Sequence, residues 1–66
     1  MSKLHSSDHI IDILKSHGFI KKSQKGSHVK FSDGVHIVIV PHPRKIIPFG
    51  TFKSILRQAG LTKEDF

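Results

Sequence analysis

The chain has 66 residues and no cysteine, which is room for one small domain, expected over residues 1–66, and excludes a disulfide framework or a thiolate metal site. A lone core below roughly 70–80 residues seldom supplies more than about 3–5 kcal/mol, so a 36% apolar chain of this length gains from a partner that binds only its folded form. Eleven Lys and Arg against five Asp and Glu leave a net charge of +6, a field that draws in polyanions. No apolar run approaches the roughly 18–20 residues of a membrane span, and the N-terminus lacks the apolar stretch of a signal peptide. A cytoplasmic protein without membrane partners is expected.

Residues 1–5 read as a short, loose leader. Ser6 or Ser7 caps a helix over 8–17, with Asp8 supplying negative charge to its first turn. Ile10, Ile13 and Leu14 fall on one face, Ile11 on the flank, and Gly18 stops the helix. Three strands are predicted next, over 19–24, 27–32 and 35–40. Lys25-Gly26 and Asp33-Gly34 sit between them as two-residue hairpin turns. Pro41 and Pro43 end the third strand because proline cannot donate to a ladder. After a loop over 44–48, a second helix starts near Gly50 or Thr51. Its Phe52, Ile55, Leu56 and Ala59 keep helical spacing up to Gly60. Thr62 and Asp65 resemble a capping box. The order helix, three-stranded antiparallel meander, helix predicts an α+β fold of two layers.

With both turns at two residues, Ser23 stands opposite His28, Lys21 opposite Lys30, Ile20 opposite Phe31, Val29 opposite Val38 and His28 opposite Ile39. One face is then Ile20, Val29, Phe31, Val38 and Val40, suited to burial under both helices. The other carries Lys21, Ser23, His28, Lys30, Ile37 and Ile39. Opposed lysines are costly unless an anion lies between them, so Lys21, Lys30 and His28 read as a phosphate-binding patch. Ile37 and Ile39 read as a docking surface for another protein.

Lys25-Gly26-Ser27-His28 concentrates the chemistry: an imidazole beside a glycine turn, among lysines, with no acidic residue nearer in the chain than Asp33. Histidine changes charge close to neutral pH and so can move protons. Of the other histidines, His5 and His9 are spaced i, i+4 across a helix start, His17 suits a helix C-terminus, and His36 and His42 lack a carboxylate partner at useful spacing. Neither a metal-ligand set nor a cysteine nucleophile can be assembled, and no cofactor is expected. Lys53 and Arg57, four residues apart on the second helix, continue the cations Arg44 and Lys45 and can bracket a nucleic-acid backbone together with the sheet lysines.

These residues resemble the HicA family of toxins, the mRNA-cleaving half of HicA–HicB toxin–antitoxin systems. The likeness runs through Gly18-Phe19, Lys25-Gly26-Ser27-His28, Phe31, Asp33-Gly34 and Val40-Pro41-His42. It continues in Gly50-Thr51-Phe52-Lys53-Ser54-Ile55-Leu56 and Gln58-Ala59-Gly60-Leu61. The resemblance implies a fold similar to a double-stranded-RNA-binding domain, RNA cleavage with His28 as the catalytic residue, and a HicB-like antitoxin that covers the site. Many members carry Arg where this chain has Ser23, so phosphate contact here falls to Lys22, Lys25 or Lys30, or the enzyme is slower.

The expectation is therefore a metal-independent mRNA endoribonuclease. His28 acts as general base or acid. Lys21, Lys25, Lys30, Lys53 and Arg57 contact phosphate, with the Gly26 and Ser27 backbone N–H groups as oxyanion donors. His28, Ile37 and Ile39 meet the antitoxin. The alternative is a non-catalytic RNA-binding module, favoured by the charge and by the lack of an aromatic platform for single-stranded bases.

Overall fold

A computed structural model describes residues 4–66; the first three residues of the expected leader lie outside them. His5, within that leader, is tied down. The His5 carbonyl accepts from the Ile47 amide at 2.8 Å, and the His5 ring stacks on His9 and leans on Phe52 and Phe66.

Helix α1 spans Ser7–Ser16. Ser6 caps it from an extended conformation, its hydroxyl accepting from the His9 amide at 3.1 Å, which leaves Ser7 free to be buried. Ile10 and Leu14 bury the inner face completely. Gly18, at φ 88°, turns the chain back, and the Phe19 amide closes on the Leu14 carbonyl at 3.0 Å.

Strands β1 (Ile20–Lys25), β2 (His28–Ser32) and β3 (Ile37–Pro41) form one antiparallel sheet in the order β1-β2-β3. Three features of the register differ from expectation. The first loop is Gly26-Ser27, because Lys25 pairs with His28. Gly26 takes φ 58°, the glycine-first arrangement of a type II′ hairpin. The second loop holds four residues, with Ser32 paired to Ile37, so that His28 faces Pro41, Lys30 faces Ile39 and Val29 faces Val40. Both changes slide the pairing by two residues, which preserves the face each side chain occupies. Asp33 causes the longer loop. Its Oδ1 accepts from the Val35 and His36 amides at 2.9 and 2.6 Å, and its Oδ2 meets His36 Nδ1 at 3.0 Å. Val35 is held out of the strand and left exposed.

The third difference is a β-bulge. Ser23 pairs with Lys30 but Lys21 pairs with Phe31, so Lys22 is the extra residue and the alternation flips beyond it. Lys21 therefore does not oppose Lys30; it lies on the helix side of the sheet. Ile20, expected in the core, is 57% exposed, and Phe19 is buried in its place. The bulge exchanges an isoleucine for a phenylalanine in the core, a larger apolar surface removed from water.

Helix α2 spans Phe49–Ala59, starting one or two residues earlier than predicted. It buries Phe52, Ile55 and Ala59 and ends at Gly60 in the left-handed conformation, φ 69°. Both helices pack on the same sheet face, against Val29, Phe31, Val38 and Val40, with Ile47 from the connection completing the core. A last 3-10 turn, Lys63–Asp65, carries the expected Thr62–Asp65 capping box. Edge strand β1 is exposed along its whole length, and its lysines and bulge disfavour pairing with another chain. The outer edge of β3 is partly covered by Gln58, whose Oε1 accepts from the Ile39 amide at 3.0 Å. No helix among the described residues is long and apolar enough to cross a membrane.

Candidate active site

The site builds on the open face of the sheet. His28 opens β2 immediately after the glycine turn and is exposed. Its ring makes no hydrogen bond or ion pair with any described residue. The other histidines are all engaged. His9 Nε2 lies 3.3 Å from the Phe66 carbonyl, and His17 Nδ1 lies 2.9 Å from the Ile13 carbonyl. His36 pairs with Asp33, and His42 Nε2 meets Asp8 Oδ1 at 2.9 Å. The last two pairs correct the expectation that His36 and His42 lack a carboxylate. The Asp33–His36 pair exists only because the loop turns, and Asp8 lies 34 positions from His42 in the chain. His5 stacks on His9 with ring centroids 4.9 Å apart. Among the described residues no three His, Asp or Glu side chains gather to hold a metal ion.

Around His28 stand cations and apolar side chains. Lys25 is its cross-strand partner on β1, and Pro41 is its partner on β3. Lys30 lies two residues along the same face, paired with Ser23 on one side and Ile39 on the other. Ser23 thus sits across from Lys30 and not from His28. Ile37 and Ile20 are 58% and 57% exposed and Ile39 is 36% exposed, all on this face.

His28 also borders a groove of about 450 Å³ between the outer edge of the sheet and α2. His28, Ile39 and Pro41 line it from the sheet, Thr51, Ser54 and Gln58 from the helix. Arg44, in the connection from β3 to α2, lines it too. The sequence pattern singled out Thr51 and Ser54 as parts of a motif and Arg44 as one more surface cation. It held no sign that they share a groove with His28, since that depends on how α2 crosses the sheet.

The family model of the HicA toxin of bacterial toxin–antitoxin matches residues 7–61, from the first turn of α1 past the end of α2. The chain belongs to the HicA toxin family. No curated protein matches it. As a member of the HicA family it is the toxin of a toxin–antitoxin pair, and a cognate antitoxin is its partner.

Not every cation expected at the site of this HicA toxin lies near His28. Lys21 is on the opposite face, where its Nζ donates to Gln24 Oε1 at 2.9 Å and it lines a second groove with Asp8, Asp12, Lys15 and His42. Lys53 Nζ sits 5.7 Å from the centre of the Phe49 ring, and Arg57 Nη2 donates to Ser54 Oγ at 3.4 Å. Neither Lys53 nor Arg57 lines the groove beside His28. Asp33, at the far end of the hairpin, has its carboxyl lowered from the ordinary 3.8 to about 2 by the amide hydrogen bond from His36, then by the His36 ring and the Val35 amide. It is committed to the loop.

Proposed function

We propose that this HicA-family toxin is an mRNA endoribonuclease that needs no metal ion, with His28 as the proton-transfer group. The observation that carries the reading is the His28 ring itself: exposed, without a hydrogen-bond or ion-pair partner among the described residues, and directly across the ladder from Lys25. An imidazole reserved for structure is ordinarily hydrogen-bonded, as the Asp33–His36 and Asp8–His42 pairs are.

In the proposed reaction His28 takes the proton of a ribose 2′-OH. The 2′-oxygen attacks the adjacent phosphorus, and the bond from phosphorus to the 5′-oxygen breaks. Water protonates that leaving oxygen, so the products are a 2′,3′-cyclic phosphate and a 5′-hydroxyl. Lys25 and Lys30 offset the charge of the phosphorane, and the Gly26 and Ser27 N–H groups at the turn are its backbone donors. The antitoxin neutralises the toxin by covering His28 together with Ile37 and Ile39, which are 58% and 36% exposed on the same face.

The test is RNA cleavage by purified protein in EDTA, compared with His28→Ala. Removal of a positioned general acid–base is expected to cost about 10²–10⁴-fold with the fold unchanged by circular dichroism. Undiminished cleavage by His28→Ala removes His28 from the mechanism, and intact RNA with the wild type leaves a non-catalytic RNA-binding module.

A further inference from the structure

The groove beside His28 has a second group with no hydrogen-bond or ion-pair partner among the described residues. Arg44 lines it, and the Arg44 guanidinium makes no hydrogen bond or ion pair with any described residue. Its backbone, in contrast, is held from both sides. The Ser7 hydroxyl, on a residue only 1% exposed, accepts from the Arg44 amide at 2.9 Å and donates to the Arg44 carbonyl at 3.1 Å. The Ser7 amide donates to the same carbonyl at 2.9 Å. A buried serine on α1 thus fixes the backbone of an arginine whose side chain has no hydrogen bond or ion pair among the described residues, in a groove that the His28 ring also lines.

The rest of the groove suits one nucleotide. Its volume of about 450 Å³ lies within the roughly 300–1,000 Å³ usual for ligand clefts. Ile39, Pro41 and Pro48 offer apolar surface to a base, and Thr51, Ser54 and Gln58 offer hydroxyl and amide groups to its edge. No acidic side chain lines it, which suits a polyanion.

Resting on the nuclease reading, we propose that this groove takes one unstacked nucleotide of single-stranded RNA beside the scissile phosphate. Arg44 binds the phosphate of that nucleotide, and Thr51 and Ser54 contact its base. An arginine offers phosphate a planar fork of donors. A base within a duplex remains stacked and paired and cannot enter a groove of this kind, whereas bases of a single strand can be splayed out.

Short RNA carrying 2′-O-methyl groups tests this apart from catalysis, because it has no free 2′-OH and cannot be cut by the proposed chemistry. Wild-type protein is expected to bind the single strand more tightly than the matching duplex. Arg44→Ala should weaken single-strand binding about ten- to hundredfold, the loss expected for a charge-assisted hydrogen bond, and leave duplex binding unchanged. Arg44→Lys should recover only part of it, and Thr51→Val with Ser54→Ala should alter the relative affinities for homopolymers of the four bases. Single-strand binding that is indifferent to Arg44→Ala, or lost equally for the duplex, overturns the proposal. Failure of unmodified RNA to be cleaved in EDTA overturns the nuclease reading instead, and the binding comparison is unaffected by it.

Discussion

Lys25 and His28 are cross-strand partners flanking a two-residue turn, so an ammonium group and an imidazole share one face of the sheet at its β1–β2 end. Directly opposed side chains in an antiparallel pair have Cβ atoms about 4.5–5.5 Å apart, a separation one phosphate group can bridge. Gly26, at φ 58°, is what lets the loop hold only two residues. A longer loop would move Lys25 away from the ring.

If Lys25 and Lys30 meet phosphates, RNA affinity must fall with salt in proportion to them. For single strands each neutralised phosphate contributes about 0.7 to the slope of log K against log salt. The double variant Lys25→Ala/Lys30→Ala should therefore bind with a slope shallower by roughly 1.4. Lys21→Ala, altered on the other side of the sheet, should leave the slope where it was. Equal losses for all three lysines would return Lys21 to the patch.

Ser7→Ala removes a buried hydroxyl that both donates to and accepts from the Arg44 backbone. The expected cost is about 1–3 kcal/mol, that of leaving a buried partner unsatisfied, read from the urea unfolding midpoint. If Ser7 also positions Arg44, RNA affinity falls in the same variant under conditions where it remains folded. A stability loss with unchanged affinity would give Ser7 a purely structural role.

Two glycines should respond with opposite signs. At Gly60 the backbone has φ +69°, and an added Cβ would lie 2.9 Å from His36 Nε2. Gly60→Ala should cost about 1–2 kcal/mol from the left-handed conformation alone. Gly50 is helical and open, with no atom within 4 Å of an added Cβ. Gly50→Ala should stabilise by about 0.4–1 kcal/mol by restricting the unfolded chain. Chemical unfolding of the two variants measures both.

The Asp33 carboxyl is lowered from 3.8 to about 2 in the folded protein by the His36 amide, the His36 ring and the Val35 amide. A depressed folded value means that the ionised carboxylate favours folding above the unfolded value, and that this contribution is lost as pH falls from 3.8 through about 2. Asp33→Asn keeps the side-chain turn but not the charge. Its stability deficit against wild type, measured by urea unfolding, should be present near neutral pH and shrink across that acid window. A deficit constant with pH would show that the charge is not what holds the loop.

The elements and the faces of β2 and β3 were legible in the chain. Strict alternation puts Val29, Phe31, Val38 and Val40 on one side, and errors of two residues in loop length leave such a pattern intact. The Lys25-Gly26-Ser27-His28 segment likewise marked the residue on which the proposed chemistry rests.

What sequence alone determined was local: helical and strand periodicity, glycine turns, a net positive charge and a histidine set among lysines. The tertiary structure decided whatever required comparing distant energies. The bulge at Lys22 turns on whether Phe19 or Ile20 fills the core, which depends on the space left by α1 and β2. The groove beside His28 depends on how α2 lies along β3, and the backbone of Arg44 within it is held by a serine 37 residues away. Periodicity records which face of an element is apolar; packing alone sets how the faces of different elements meet.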